Sequence, residues 1–264
     1  MTTYSKQEII LKAENVSLSY GDKTILYDIN FDIKNIVRPN MTQGQVVSLI
    51  GRSGIGKTQL FKLLSGLQRP TTGKISIYDN REVKPGDMGV IFQNYYLFQW
   101  RTVYQSLLLA ARQNEKWKGK EKDAIEGYAA HFDLKEHLHL YPEQLSGGQR
   151  QRASIIQQLL KGSDFLLLDE PFSGLDVCVL DKVVDLLINV SLADELKTLI
   201  IVSHDIATAV AISDTVFILG ANKGKCGSTI KKEIDLIERD LAWKKDIKKE
   251  KEFLDTVEEI KSLL

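Results

Sequence analysis

Two glycine-rich stretches frame the chemistry open to this chain: GRSGIGKT at residues 51–58 and LSGGQ at residues 145–149. In the first, Gly51 and Gly56 bracket a turn, Ser53 lies inside it, and Gly54 lets the backbone come still closer to a ligand. Successive backbone N–H groups running into a helix start make a cradle for anions, because the free amides and the positive helix end both favour negative charge. Lys57 is placed to reach the β- and γ-phosphates of a nucleotide, and Thr58 to ligate magnesium. A glycine turn ahead of a helix would explain the glycines but not the Lys-Thr pair, so the reading is nucleotide binding.

A pair of carboxylates, Asp169 and Glu170, follows the apolar run FLLL. Such a pair after a strand is often only a turn. Beside a phosphate loop, the first carboxylate is expected to hold the magnesium shell and the second to polarise the attacking water. LSGGQ sets Ser146, Gly147 and Gly148 immediately before a helical run, with free N–H groups and the positive helix end facing outward. This is an anion site without a lysine of its own, suited to complete the cage around a γ-phosphate held by another subunit. Arg150 and Arg152 are left for packing or salt bridging. The alternative, a capped helix start, needs no pair of glycines and gives Gln149 little value. The two motifs together imply an ATPase that works as a dimer.

The elements that must position these residues are legible from periodicity. IILKAENVSLSY and TILYDINFDI alternate across a turn at Gly21 and Asp22, which predicts an antiparallel hairpin. After the polar loop NIVRPNMTQG, the unbroken apolar run QVVSLI predicts a buried central strand feeding the glycine loop. TQLFKLLSGL then shows helical spacing. GKISIYD (73–79) and MGVIFQ (88–93) read as further strands, and residues 94–160 as helical. DFLLLDEP, the helix-like VCVLDKVVDLLINVSLADEL, TLIIVSHD and TVFILG (215–220) alternate as a parallel sheet requires. From residue 231 onward, dense charge of both signs with sparse apolar positions predicts a solvated, partly helical extension along one edge.

Composition narrows the classes. With 43% apolar and 27% charged residues the chain is an ordinary folded protein, and its formal net charge of zero argues against nucleic acid as a partner. No apolar run reaches the roughly 18–20 residues of a membrane-spanning helix. The N-terminus lacks the basic start and apolar core of a secretory signal, so a cytoplasmic location is expected. Cys178 and Cys226 stand far apart, without metal-ligand spacing, as reduced thiols would.

The order and spacing of the phosphate loop, Gln93, LSGGQ, FLLLDEP and His204 resemble the nucleotide-binding subunits of ATP-binding-cassette (ABC) transporters over nearly all of residues 10–220. The resemblance implies an α/β fold: a P-loop NTPase core with a mostly parallel sheet, an N-terminal antiparallel β subdomain and an inserted α-helical subdomain. One ABC ATPase domain would span 1–264, with core in 1–93 and 161–220, the helical subdomain in 94–160 and the charged extension in 221–264. By the same resemblance Tyr20 stacks on adenine, Gln93 links magnesium and the attacking water to the helical lobe, His204 contacts the γ-phosphate, and Asp176 communicates across the dimer. ATP and Mg2+ are the implied cofactors. Three departures stand out: Gly174 where alanine is commoner, Gln59 where a small residue is usual, and a long linker over 35–44.

The resemblance also implies partners: a second ABC subunit, permease subunits in the membrane, and a substrate-binding protein outside it, with this chain peripheral on the cytoplasmic face of the plasma membrane. Aromatics beside Gln93, from Tyr95 to Trp100, could receive a permease helix or pack the lobe on the core. Trp100 and the tail DLAWKKDIKKEKEFLDTVEEI resemble the subfamily importing nitrate, sulfonates and taurine. An exporter subunit, a soluble ATPase of translation or repair, and a catalytically weak regulatory ATPase are the alternatives. Repair members carry inserted coiled coils and ribosomal members paired cassettes, which this sequence lacks, while intact Lys57, Asp169, Glu170 and His204 argue against weak catalysis.

Overall fold

Strands that alternate in sequence and strands that are continuously apolar end up in different parts of one sheet. The computed structural model describes residues 5–37, 44–172, 185, 198–221, 224, 226–242, 244 and 247–264. β1 (Ser5–Tyr20) and β2 (Lys23–Val37) form the expected antiparallel hairpin, turning at Gly21, whose φ of 56° suits a residue without a Cβ. Both strands bury alternate residues, as one-sided strands do. By contrast β3 (Gln45–Ile50), β7 (Phe165–Asp169) and β8 (Thr198–Ser203) are buried at every position. They pair in parallel, with both faces covered.

The full order is β5-β4-β1-β2-β10-β9-β3-β8-β7-β6, adding β4 (Thr72–Ile77), β5 (Arg81–Glu82), β6 (Gly89–Ile91), β9 (Thr215–Ala221) and β10 (Ser228–Asp235). Two expected strands are shorter than read. β4 stops at Ile77 because Tyr78 and Asn80 adopt positive φ to turn into β5, and β6 ends before Phe92 and Gln93.

α1 (Lys57–Leu64) lies under the hairpin with Leu60, Phe61, Leu63 and Leu64 buried. Phe61 is fully buried, so truncating it to alanine would cost about 3–5 kcal/mol. The helix ends sooner than its pattern suggested: Gly66 takes φ 71°, and a Cβ there would strike the backbone of Lys84 at 2.7 Å, while Leu67 is left exposed. α2 (Val103–Ala111), α3 (Glu121–His131) and α4 (Gly147–Lys161) form the helical lobe. Its core is continuous with one face of the sheet: Leu107, Ile125, Phe132, Ile155 and Ile156 cluster with Leu168, Leu199 and Ile201.

The segment read as a solvated charged extension is built into the fold. β10 pairs antiparallel with β9 and touches β2 at Ser228 and Leu26, so it seams the antiparallel and parallel halves of the sheet. α5 (Ile206–Ile212) and α6 (Lys251–Leu263) then share a core in which Ile234, Leu236, Leu241, Ile247, Phe253, Val257 and Ile260 are buried. The spacing of Phe253, Val257 and Ile260 is a helical stripe, diluted in sequence by the charges on the opposite face. Most of the helix-like stretch after Gly174 and most of the 35–44 linker lie outside the described residues.

Candidate functional site

β3 delivers the chain into the glycine loop at the edge where α1 begins. Gly51 is buried, and a Cβ there would meet the Leu219 carbonyl oxygen at 2.9 Å, so the loop's entry is glycine for lack of space. Gly54 and Gly56 adopt φ of 78° and 106°, the left-handed region that favours glycine. Gly56 caps α1 without any side-chain hydrogen bond, which leaves a helix N-terminus with no side chain in its anion-binding position. Ser53, Gly54, Gly56, Lys57 and Thr58 line a cleft of about 370 Å³ together with Tyr20, Ile25, Gln59 and Glu170.

Lys57 is buried. Its Nζ donates to the carbonyl oxygens of Gly51 (2.9 Å) and Arg52 (3.2 Å) and lies 3.4 Å from Glu170 Oε1. Glu170 leaves β7 with φ 51°, a strained backbone for a residue with a Cβ, held by its N–H bond to the Val202 carbonyl at 2.8 Å. Its other oxygen, Oε2, accepts from the His204 backbone N–H (3.2 Å) and sits 2.7 Å from His204 Nδ1. The kink that turns Glu170 out of the strand therefore leaves its carboxylate between Lys57 and His204.

Asp169, one residue earlier, stays in the strand. Burial, with the charge of Glu170 beside it, lifts its carboxyl above the ordinary aspartate range, and Lys57 and Lys62 only partly offset this. Its Oδ1 is buried with no hydrogen-bond partner among the described residues. An orphaned carboxylate oxygen next to a phosphate loop fits a cation, since a divalent ion would satisfy it and reverse the cost of its charge.

Tyr20 stands at the other end of the cleft, half exposed, its hydroxyl donating to Gln59 Oε1 (3.0 Å) and accepting from Gln68 Nε2 (2.7 Å). The unusual Gln59 thus anchors the candidate base-stacking ring to α1. Gln68 carried no sequence signal, because its partner is 48 residues away. Gln93 is exposed two residues beyond β6, and Gln151 of α4 donates to the Pro171 carbonyl at 3.2 Å, tying the lobe to the residue after Glu170.

The signature stretch corrects one expectation. Ser146 and Gln149 form a capping box: Ser146 Oγ accepts from the Gln149 N–H (3.2 Å) and Gln149 Oε1 from the Ser146 N–H (2.8 Å). A capped helix start therefore does give Gln149 a value. It gives none to the glycines, since a Cβ at Gly147 or Gly148 would meet nothing within 4 Å among the described residues. Arg150 donates to the Leu145 carbonyl at 2.7 Å, a packing role as expected. None of residues 145–149 lines the cleft that holds the phosphate loop. Asp176 and Gly174 lie outside the described residues.

The aromatics after Gln93 divide between buried and exposed positions. Tyr95 and Leu97 pack on the lobe core, whereas Tyr96 and Trp100 are about 70% exposed. Trp100, Arg101, Gln105, Leu108, Leu109 and Arg112 line a shallow groove of about 270 Å³.

A phosphate loop with paired carboxylates at a neighbouring strand end, plus a glycine-rich helix start displaced from it, defines an ATP-hydrolysing cassette. Residues 35–173 match the family model described as ABC transporter, and the chain belongs to that family as its ATPase subunit. It is 33% identical to the nitrate import ATP-binding protein NrtD of Synechocystis sp., over 88% of this chain and 87% of that one. It is equally identical, 33%, to the aliphatic sulfonates import ATP-binding protein SsuB of Bacillus cereus, over 81% of each. Among solved structures, the ATP-binding cassette MJ0796, described as a dimeric post-hydrolysis state bound to ADP and Pi, superposes with a TM-score of 0.67 at 26% identity, covering 86% of this chain and 99% of that one. Among the described residues no helix is long and apolar enough to cross a membrane.

Proposed function

We propose that two copies of this chain close around two ATP molecules, each held by the phosphate loop of one copy and the LSGGQ stretch of the other, and that this closure drives a membrane permease importing a small anion such as nitrate, a sulfonate or taurine. The observation that carries the dimer is the pair Gly147 and Gly148, which the chain's own fold does not require. In the first turn of α4 glycine is a weaker helix former than alanine, by at most about 1 kcal/mol each, so its use points to a close approach from outside the chain.

Glu170 orients water for in-line attack on the γ-phosphate, and the His204 imidazole holds the carboxylate in place and contacts the departing phosphate. Lys57 leaves the carbonyls of Gly51 and Arg52 for the β- and γ-phosphates, where its charge offsets the charge developing in the transition state. Tyr20, fixed by Gln59 and Gln68, supplies the face for adenine. Thr58, Gln93 and Asp169 would hold Mg2+, which would supply charge neutralisation for phosphoryl transfer. Once the γ-phosphate is lost, the negative charge that the partner's helix start bound is gone and the interface opens.

The permease is received at the groove of Trp100, Leu108 and Leu109, with a substrate-binding protein outside the membrane and this chain peripheral on the cytoplasmic face. Similarity to NrtD and SsuB supports a small anion as cargo. The test is ultracentrifugation of Glu170→Gln with and without ATP, followed by its purification from native membranes. A dimer only with ATP, and a permease that copurifies, are expected. A monomer under all conditions, or recovery of ribosomes instead, overturns the reading.

A further inference from the structure

The LSGGQ stretch is held by a residue outside it. Gln149 has one side-chain oxygen, and the Ser146 N–H takes it at 2.8 Å. Its NH2 group is therefore the end that faces His137, whose Nε2 lies 2.9 Å away. Flipping the amide would set NH2 against the Ser146 N–H, two donors together. An NH2 can only donate, so His137 Nε2 must accept, and the ring proton sits on Nδ1. That Nδ1 is buried and has no hydrogen-bond partner among the described residues. A half-buried histidine with one nitrogen unsatisfied is not what packing alone selects among leucines such as Leu134, Leu138 and Leu140.

The segment bearing His137 is itself fixed. His137 ends a short helical turn (Lys135–His137), its N–H bonded to the Leu134 carbonyl at 2.9 Å. The next residues bond to the start of α2: the Tyr104 N–H donates to Leu138 (2.8 Å) and the Val103 N–H to Leu140 (2.9 Å). That helix start follows directly on Trp100 and Arg101 of the exposed groove.

We propose that His137 is a positioning residue for the ATPase reaction. Its neutral imidazole holds Gln149, and through the reciprocal capping bonds Ser146, in the arrangement that meets the partner's ATP. It does so from a segment bonded to the helix that carries the groove. The inference rests on the reading that LSGGQ acts across a dimer, and the test separates the two.

In the Glu170→Gln background, His137→Phe keeps the ring shape without the acceptor, and His137→Gln keeps an acceptor. ATP-dependent self-association is followed by ultracentrifugation. His137→Phe should raise the protein concentration at half-association about three- to tenfold per site, the worth of one hydrogen bond. ATP affinity at low protein concentration should stay within twofold, and His137→Gln should restore association. Ring 15N shifts of the full chain should show Nε2 unprotonated. Equal loss in both variants, no loss in His137→Phe, or a proton on Nε2 overturns the proposal. Gly148→Asp is the control. If it abolishes association while His137→Phe does not, only the role of His137 fails; if it too leaves association intact, the reading of LSGGQ falls and the proposal with it.

Discussion

Glu170 Oε2 and His204 Nδ1 lie 2.7 Å apart, a contact made by two residues 34 positions apart that leave adjacent strands at the same level. The same carboxylate reaches Lys57 through its other oxygen. Replacing it by an amide keeps shape and removes the charge that polarises water. Glu170→Gln should lower kcat by about 10²- to 10⁴-fold, the range for losing a general base, with ATP binding kept. Phosphate release under saturating ATP checks this; turnover near the parent rate would remove Glu170 from its role.

Asp169 carries its carboxyl in a place that resists charge. Its raised pKa means that the folded chain binds a proton there which the unfolded chain releases. That stabilisation is present below the ordinary value near 3.8 and is lost as pH rises through the window above it. At pH 7 without metal, Asp169→Asn should therefore be the more stable protein, with the higher Tm, while losing ATP hydrolysis. The Tm gap should widen as pH rises from below the ordinary aspartate value of 3.8 to neutral. A variant less stable than the parent at pH 7 would show that the carboxylate is satisfied without an ion.

Gly147 and Gly148 have room for a methyl group and ordinary backbone angles. Gly147→Ala should raise helix stability by about 0.5–1 kcal/mol yet weaken ATP-dependent association, because the added carbon occupies the space needed by the partner's phosphate. Thermal melts and sedimentation on one preparation read both effects. Tighter association in the more stable variant would mean that the glycines serve no approach.

Tyr20 presents an exposed ring whose hydroxyl is fixed by Gln59 and Gln68. Tyr20→Ala should weaken ATP binding by about tenfold, the value of a stacking contact, and Tyr20→Phe by far less, since the ring face remains. Titration with a fluorescent ATP analogue distinguishes them; equal losses would assign the hydroxyl, not the ring, to binding.

Much of this was legible in the chain because the signals are local. A hairpin turn at Gly21, a glycine loop between a buried strand and a helix, and carboxylates closing an apolar strand are each fixed by residues within a few positions of one another, and the structure places them as read. Other features misled because sequence averages over faces. α6 carries its apolar stripe of Phe253, Val257 and Ile260 among charges, so it read as solvated, and β10 gave no hint that it joins the halves of the sheet.

By itself, then, the sequence determined the phosphate loop, the paired carboxylates and the ABC family, since backbone preference and side-chain chemistry at short range suffice for these. Tertiary structure alone decided that Glu170 sits between Lys57 and His204, that Asp169 Oδ1 is left without a partner among the described residues, and that Gln59 and Gln68 hold Tyr20. It also decided that His137 faces Gln149. These relations join residues from 12 to over a hundred positions apart, and for Glu170 and His204 it is the strand order and the register between β7 and β8 that bring them within a hydrogen bond.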